Sequence, residues 1–219
     1  MKNQSNEKAI KNFLKEYPEI FTPREQYQIL KIIEGSNGEL YGAECIREIY
    51  DELGLIPDNK NIYVGFSDII EKEFGIENKN IVEVGGGHIP RLAKRLEEKQ
   101  INGKITVYDP FLSKYEKSSS KLSLVRNKFD GNTKIPEKTD LLIGLQPCAA
   151  AEKIIEVAFK YNIDFIIALC EGGPHGEWFD FYESDEEWLC SIITRAKRGV
   201  EENDMGNLVV EKSLVKYND

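Results

Sequence analysis

The stretch Ile81-Val82-Glu83-Val84-Gly85-Gly86-Gly87-His88-Ile89-Pro90-Arg91-Leu92-Ala93 decides how this chain folds. A short apolar run with strand character enters three consecutive glycines. Pro90 then stands where a helix opens, a position at which its missing N–H is no loss. Glycines at a strand-to-helix turn let a ligand approach the backbone, and the helix N-terminus behind them offers unpaired N–H groups and positive dipole. Glu83 is the anomaly in the strand. Burying an unpaired carboxylate is expensive or forces its protonation, so a partner is implied, and a ligand ammonium group is a suitable one.

Outward from this turn, short apolar runs alternate with helical patterns from Asn80 onward, the pattern of βαβ units and a parallel sheet. The spacing predicts strands at Ile81–Val84, Ile105–Asp109, Leu122–Asn127, Leu141–Leu145, Phe165–Leu169 and Leu208–Val215. It predicts helices at Pro90–Lys99, Ala149–Tyr161 and Ser184–Lys197. The strands are β-branched and carry few charges, as expected when helices cover both faces of a sheet. The fold class expected for residues 76–219 is therefore α/β, a doubly wound, mostly parallel sheet. Asp109 closes the second strand. In open α/β sheets the strand C-termini line the ligand crevice, and an acid there can accept both hydroxyls of a ribose.

Residues 1–75 read as helical. Thr22-Pro23-Arg24-Glu25 combines a capping hydroxyl, a proline at the first helical position and a glutamate three residues after the cap. Tyr27, Leu30 and Ile33 follow at helical spacing, and Gly35 is the stop. A second helix is expected over Ala43–Leu53, with Ile46, Ile49, Tyr50 and Leu53 on one face, and a third from a Ser67 cap through Phe74 to Gly75. This segment is expected to act as a cap over the ligand cleft or as a homodimer interface.

A dinucleotide fingerprint is a competing reading of the glycine turn. It needs a small residue where this chain has Pro90, and it has no use for Glu83. The pattern Glu83-x-Gly85-x-Gly87, with Asp109 at the end of the next strand, instead resembles motifs I and II of the class I S-adenosylmethionine (SAM)-dependent methyltransferases, a Rossmann-like superfamily. Asp140-Leu-Leu-Ile-Gly-Leu-Gln-Pro-Cys148 looks like that superfamily's fourth strand and following loop. The likeness covers about Asn80 to Gly173. It implies that Gly85, Gly86 and Gly87 wrap the methionine part of SAM and that Glu83 anchors the loop or the amino group. It further implies Asp109 on the ribose, Asp130 at the adenine edge, and Gln146 near the sulfonium and incoming acceptor. Two features depart from the family. Gln-Pro-Cys replaces the Asn/Asp-Pro-Pro-aromatic run of many amino-methylating enzymes, and one C-terminal strand is legible where the family ends in an antiparallel pair.

The acceptor side is expected in the loop after the fifth strand, Glu171-Gly-Gly-Pro-His175-Gly-Glu177-Trp178-Phe179-Asp180-Phe181-Tyr182. His175 can serve as a general base because its unperturbed pKa lies near neutrality. Glu171 can do the same or hold a cationic substrate. The bland readings are a solvent-facing turn histidine and an aromatic run that docks the next helix. His88 is expected to contribute backbone alone. Beside methyl transfer, the same pocket fits aminopropyl transfer, a non-catalytic SAM-binding scaffold, or, less well, an NAD-dependent oxidoreductase.

Composition bounds these readings. Hydrophobic residues make up 41% of the 219, enough to fill a core, and the net charge of -9 repels phosphate backbones. Seven acids and no Lys or Arg lie between Glu171 and Trp188. That distribution favours a small or cationic acceptor, or a protein, over nucleic acid. Lys114, Lys117, Lys121, Arg126 and Lys128, offset by Glu116, form a candidate local basic cluster, otherwise readable as a solvated loop and edge strand. The absence of a long apolar run or a secretory leader points to a protein of the cytoplasm with no membrane partner. Cys45, Cys148, Cys170 and Cys190 form no C-x-x-C pair and read as free thiols, with a Cys148, Cys170 and His175 zinc site the lesser alternative. No metal is expected.

Overall fold

The computed structural model describes residues 2–35, 44–55, 61–99, 102–147, 150–169 and 214–216. Four helices come first: α1 (Lys2–Glu16), α2 (Pro23–Gly35), α3 (Glu44–Glu52) and α4 (Ile62–Phe74). Strands and helices then alternate as β1 (Ile81–Val84), α5 (Arg91–Lys99), β2 (Ile105–Tyr108), β3 (Leu122–Val125), β4 (Leu141–Leu145), α6 (Ala151–Tyr161), β5 (Asp164–Leu169) and β6 (Leu214–Lys216). The strands form one sheet in the order β3-β2-β1-β4-β5-β6, with every pairing parallel. This is the doubly wound, Rossmann-like arrangement, and its strand order reverses between β1 and β4.

Alternation along the strands sorts side chains to two faces. Ile81, Ile105, Val107, Leu141 and Ile143 pack with Phe66, Ile70, Leu92 and Leu96 beneath α4 and α5. Val82, Val84, Leu142, Phe165 and Ile167 pack with Ile154, Ile155, Ala158 and Phe159 of α6. Each fully buried side chain of this size contributes about 1.5–3 kcal/mol. Both faces being covered explains why β1 and β4 are buried at every position.

A third apolar cluster is built by α1, α2 and α3: Ile10, Phe13, Leu14, Phe21, Ile29 and Ile49 are buried there together with Ile89. Ile89 lies two residues past the glycine turn, directly before Pro90, so the N-terminal helices seat on the mouth of that turn. The Thr22 cap forms as its sequence demands. Thr22 N–H donates to Glu25 Oε2 (2.7 Å) and Glu25 N–H to Thr22 Oγ1 (3.3 Å).

Some local expectations shift. The third predicted helix begins five residues before Ser67, at Ile62, with Asn61 accepting from Tyr63 N–H at 3.0 Å as its cap. Ser67 lies inside it, and its hydroxyl donates to the Val64 carbonyl at 2.8 Å, a bond available to a mid-helix serine. Tyr27 is exposed rather than core, while Ile29 is fully buried. Helix α1 carries Ile10, Phe13 and Leu14 at helical spacing, all three buried. Of the expected C-terminal strand Leu208–Val215, residues 208–213 lie outside the described residues; the described part, Leu214–Lys216, runs parallel to β5. The expected helix at Ser184–Lys197 lies outside the described residues.

Candidate functional site

Three carboxylates converge on the turn after β1. Glu83 is 2% exposed and flanked in register by Val107 on β2 and Ile143 on β4. One hydrogen bond reaches its carboxyl, from the Ala93 N–H in the first turn of α5. Its Oε2 is buried with no hydrogen-bond partner. Burial therefore pushes the Glu83 pKa up to about 8, with the nearby Asp109 charge adding to the rise.

Asp109 follows β2 and ties the turn from the other side. Its Oδ2 accepts from Gly87 N–H (2.9 Å) and its Oδ1 from Phe111 N–H (2.6 Å). Burial raises its pKa despite those two bonds and the neighbouring His88.

The third carboxylate comes from helix α3. Glu48, 2% exposed, accepts from His88 N–H through Oε1 (3.2 Å) and from Ile89 N–H through Oε2 (3.3 Å). It thus sits on the amides between the glycine turn and α5, where such a helix N-terminus favours an anion. No local pattern in α3 announces this, because the partners lie 40 residues away; the burial of an acid on an otherwise ordinary amphipathic helix is the signature, and it is visible only in the fold.

The glycines are needed by this crowding. Gly87 has φ +70°, and a Cβ there would overlap the Glu48 Oε1. A Cβ on Gly86 would lie 2.5 Å from Val107 Cγ1. Gly87→Ala is accordingly expected to lower stability by about 2 kcal/mol or more through strain and displacement of Glu48, as read by denaturant unfolding. A loss below about 0.5 kcal/mol would show that the turn has room.

Between the turn and the C-terminal end of β4 lies a cleft lined by Glu48, Ile62, Tyr63, Glu83, Gly85, Gly86, Leu145 and Gln146. It stands at the strand-order reversal, where open α/β sheets bind ligands. Gln146 adopts φ +51°, an uncommon conformation for a residue with a side chain, and its N–H donates to the Ala168 carbonyl at 2.8 Å. Backbone strain of this kind gathers at functional sites.

The expected site residues separate into three groups. Glu83, Gly85, Gly86 and Gln146 line one cleft, with Gly87 and Asp109 bonded to each other at its edge. Asp130 stands apart: it is exposed, and its Oδ1 accepts from Asn132 N–H (2.9 Å) and the Thr133 hydroxyl (3.3 Å) in its own turn. Glu171 and His175 lie outside the described residues, as do Cys148, Cys170 and Cys190. Among the described residues no His, Cys, Asp and Glu group is arranged to hold a metal, and no helix is long and apolar enough to cross a membrane.

His88 does more than lend backbone. Its Nε2 lies 3.4 Å from Glu25 Oε1 and its Nδ1 3.8 Å from Glu48 Oε2. Its ring centre lies 4.8 Å from that of Phe21 and 5.9 Å from that of the exposed Phe111. Burial holds its pKa below the usual range against the pull of Glu25 and Asp109. In the basic cluster, Arg126 is engaged by the Ser113 and Glu116 carbonyls at 2.7 and 2.6 Å.

No family model matches the chain, and no curated protein matches it in sequence. Among solved structures, human N-acetylserotonin methyltransferase in complex with SAM is similar, with a TM-score of 0.43 and 16% identity over 77% of this chain. The chain spans 56% of that protein's length.

Proposed function

We propose that the cleft binds SAM and that the protein transfers its methyl group to a small or cationic acceptor. The observation that supports this reading best is the buried Glu83 Oε2, an acceptor with no donor, in a cleft at the sheet's switch point. An ammonium group satisfies it with a charge-assisted hydrogen bond. Asp109 has spare lone pairs beyond those used by Gly87 and Phe111, so it can still accept from ribose hydroxyls while it shapes the turn. Gln146, held by its backbone bond to β5, is the residue proposed to face the sulfonium side.

SAM supplies an electrophilic methyl group on a positively charged sulfur. The protein's task is alignment of acceptor and methyl, together with exclusion of water. A base is required only for an acceptor that must lose a proton. Glu171 and His175 are proposed for that step.

Ligand-linked stability gives the test. SAM at about a hundred times its Kd is expected to stabilise the fold by about 2.7 kcal/mol, raising Tm by about 5–10 °C for a chain of this size. NADH at the same concentration is expected to leave Tm unchanged. A shift with NADH and none with SAM overturns the reading. Asp109→Ala is expected to reduce SAM affinity at least about tenfold and to lower stability by about 2 kcal/mol, because two partly buried N–H groups lose their acceptor. An unchanged affinity by titration removes the ribose role.

A further inference from the structure

Helix N-termini behind glycine turns bind phosphates because their amides are unpaired. Here two of those amides, His88 and Ile89, are already taken by the two oxygens of Glu48, and Gly87 N–H is taken by Asp109. Glu48 also lines the same cleft as Glu83, whose Oε2 has no partner. Both carboxylates are 2% exposed, so neither is screened by bulk water. An anionic ligand end entering this space meets two buried acids and no free amide at 87–89. A cationic end meets the Glu48 carboxylate and, by pairing, ionises Glu83.

We infer that Glu48 is a ligand-selecting residue: it fills the amide nest at His88 and Ile89 against phosphate-bearing nucleotides, and with Glu83 it forms a two-carboxylate receptor for the ammonium-bearing end of the ligand. The second half rests on the SAM reading given above; the first does not. Glu48 is carried by α3, whose Asp51 is clamped by Arg91 and Arg95 of α5, so the selecting carboxylate is fixed to the same helix whose N-terminus it covers. The N-terminal helices thereby contribute a side chain to the cleft instead of merely covering it.

The test uses the full chain with two variants and two probes. Glu48→Ala empties the nest. Glu48→Gln keeps the volume and one acceptor but removes the charge, and it decides the matter should the alanine variant fail to fold. The probes are SAM and ADP-ribose, the latter carrying a pyrophosphate and no ammonium, with binding read by titration calorimetry. The wild type is expected not to bind ADP-ribose at millimolar concentration. Glu48→Ala is expected to gain at least about tenfold in ADP-ribose affinity, Glu48→Gln, which loses the charge but still covers one amide, at least about threefold, and both are expected to lose about tenfold for SAM. ADP-ribose affinity unchanged in a folded variant overturns the inference, whatever happens to SAM. A variant that gains ADP-ribose, in a protein that never binds SAM, upholds the selecting role of Glu48 and sinks the SAM reading alone.

Discussion

Glu83→Gln is expected to weaken SAM binding about a hundredfold while making the ligand-free protein more stable at pH 8. The two effects have opposite signs because the same buried oxygen causes both. In the free protein Glu83 has a pKa of about 8 against 4.5 for an ordinary glutamate. A folded-state pKa above the unfolded value means that the unfolded chain gives up its proton first as pH rises. The Glu83 contribution is therefore fully present below pH 4.5, declines between there and pH 8, and is gone above that. The loss across this window amounts to about 5 kcal/mol as an order of magnitude. Glutamine does not titrate, so the variant escapes the decline, and the two unfolding curves should meet near the acid end of the window. With SAM present the order reverses, because only the carboxylate can pair with an ammonium group. Unfolding free energies measured from pH 4.5 to 8, with and without SAM, check both halves. Parallel pH profiles for the two proteins would mean that Glu83 has a partner in the free protein.

Asp51→Ala is expected to cost about 3–5 kcal/mol, a large part of the stability of a domain this size. The Asp51 side chain is 1% exposed and accepts from Arg91, from Arg95 (2.6 Å) and from Asn61. Removing it takes that acceptor from Arg95, leaves Arg91 with Glu52 alone, and releases Asn61, the cap of α4. Three helices are pinned by that one carboxylate. Burial alone would raise its pKa, but the bonds from Arg91, Arg95 and Asn61 outweigh burial and hold it below the ordinary 3.8. The sign is the reverse of that for Glu83: the Asp51 contribution is present above pH 3.8 and is lost as pH falls through the lowered folded-state value. Chemical denaturation of Asp51→Ala at neutral pH tests the magnitude. A loss under 1 kcal/mol would place the clamp among ordinary surface ion pairs, whose contribution is about 0–1 kcal/mol.

The sheet was legible because its signals are local. A β-branched run followed by three glycines and Pro90 states strand, turn and helix within thirteen residues, and β1, β2, β4 and β5 appear within a residue or two of the places expected. The Thr22 cap was legible for the same reason, since donor and acceptor are three residues apart. Asn61 carries a local signal of the same kind, accepting from Tyr63 N–H two residues on, while the anchoring of its amide by Asp51, ten residues earlier in a different helix, is not visible in the sequence. Glu48 shows the same limit at the site itself. Glu83 is conspicuous inside an apolar strand, whereas Glu48 sits among other acids in a helix that would be read as solvated on that side. Its burial depends on α3 lying across the mouth of the turn, a tertiary fact with Ile89 as its apolar anchor. Asp130 shows a local bond of the Thr22 kind, its carboxylate closing a turn with the Thr133 hydroxyl three residues on.

Titration of the wild-type protein with SAM at pH 7, in two buffers of different ionisation enthalpy, tests the central claim most directly, because it counts protons as well as heat. With its pKa near 8, Glu83 is mostly protonated at pH 7 before the ligand arrives. Pairing with an ammonium group ionises it, so micromolar binding should release about one proton, a release absent in Glu83→Gln. SAM binding with no proton release, or with the same release in both proteins, would contradict the assignment of the buried carboxylate as the cofactor's partner.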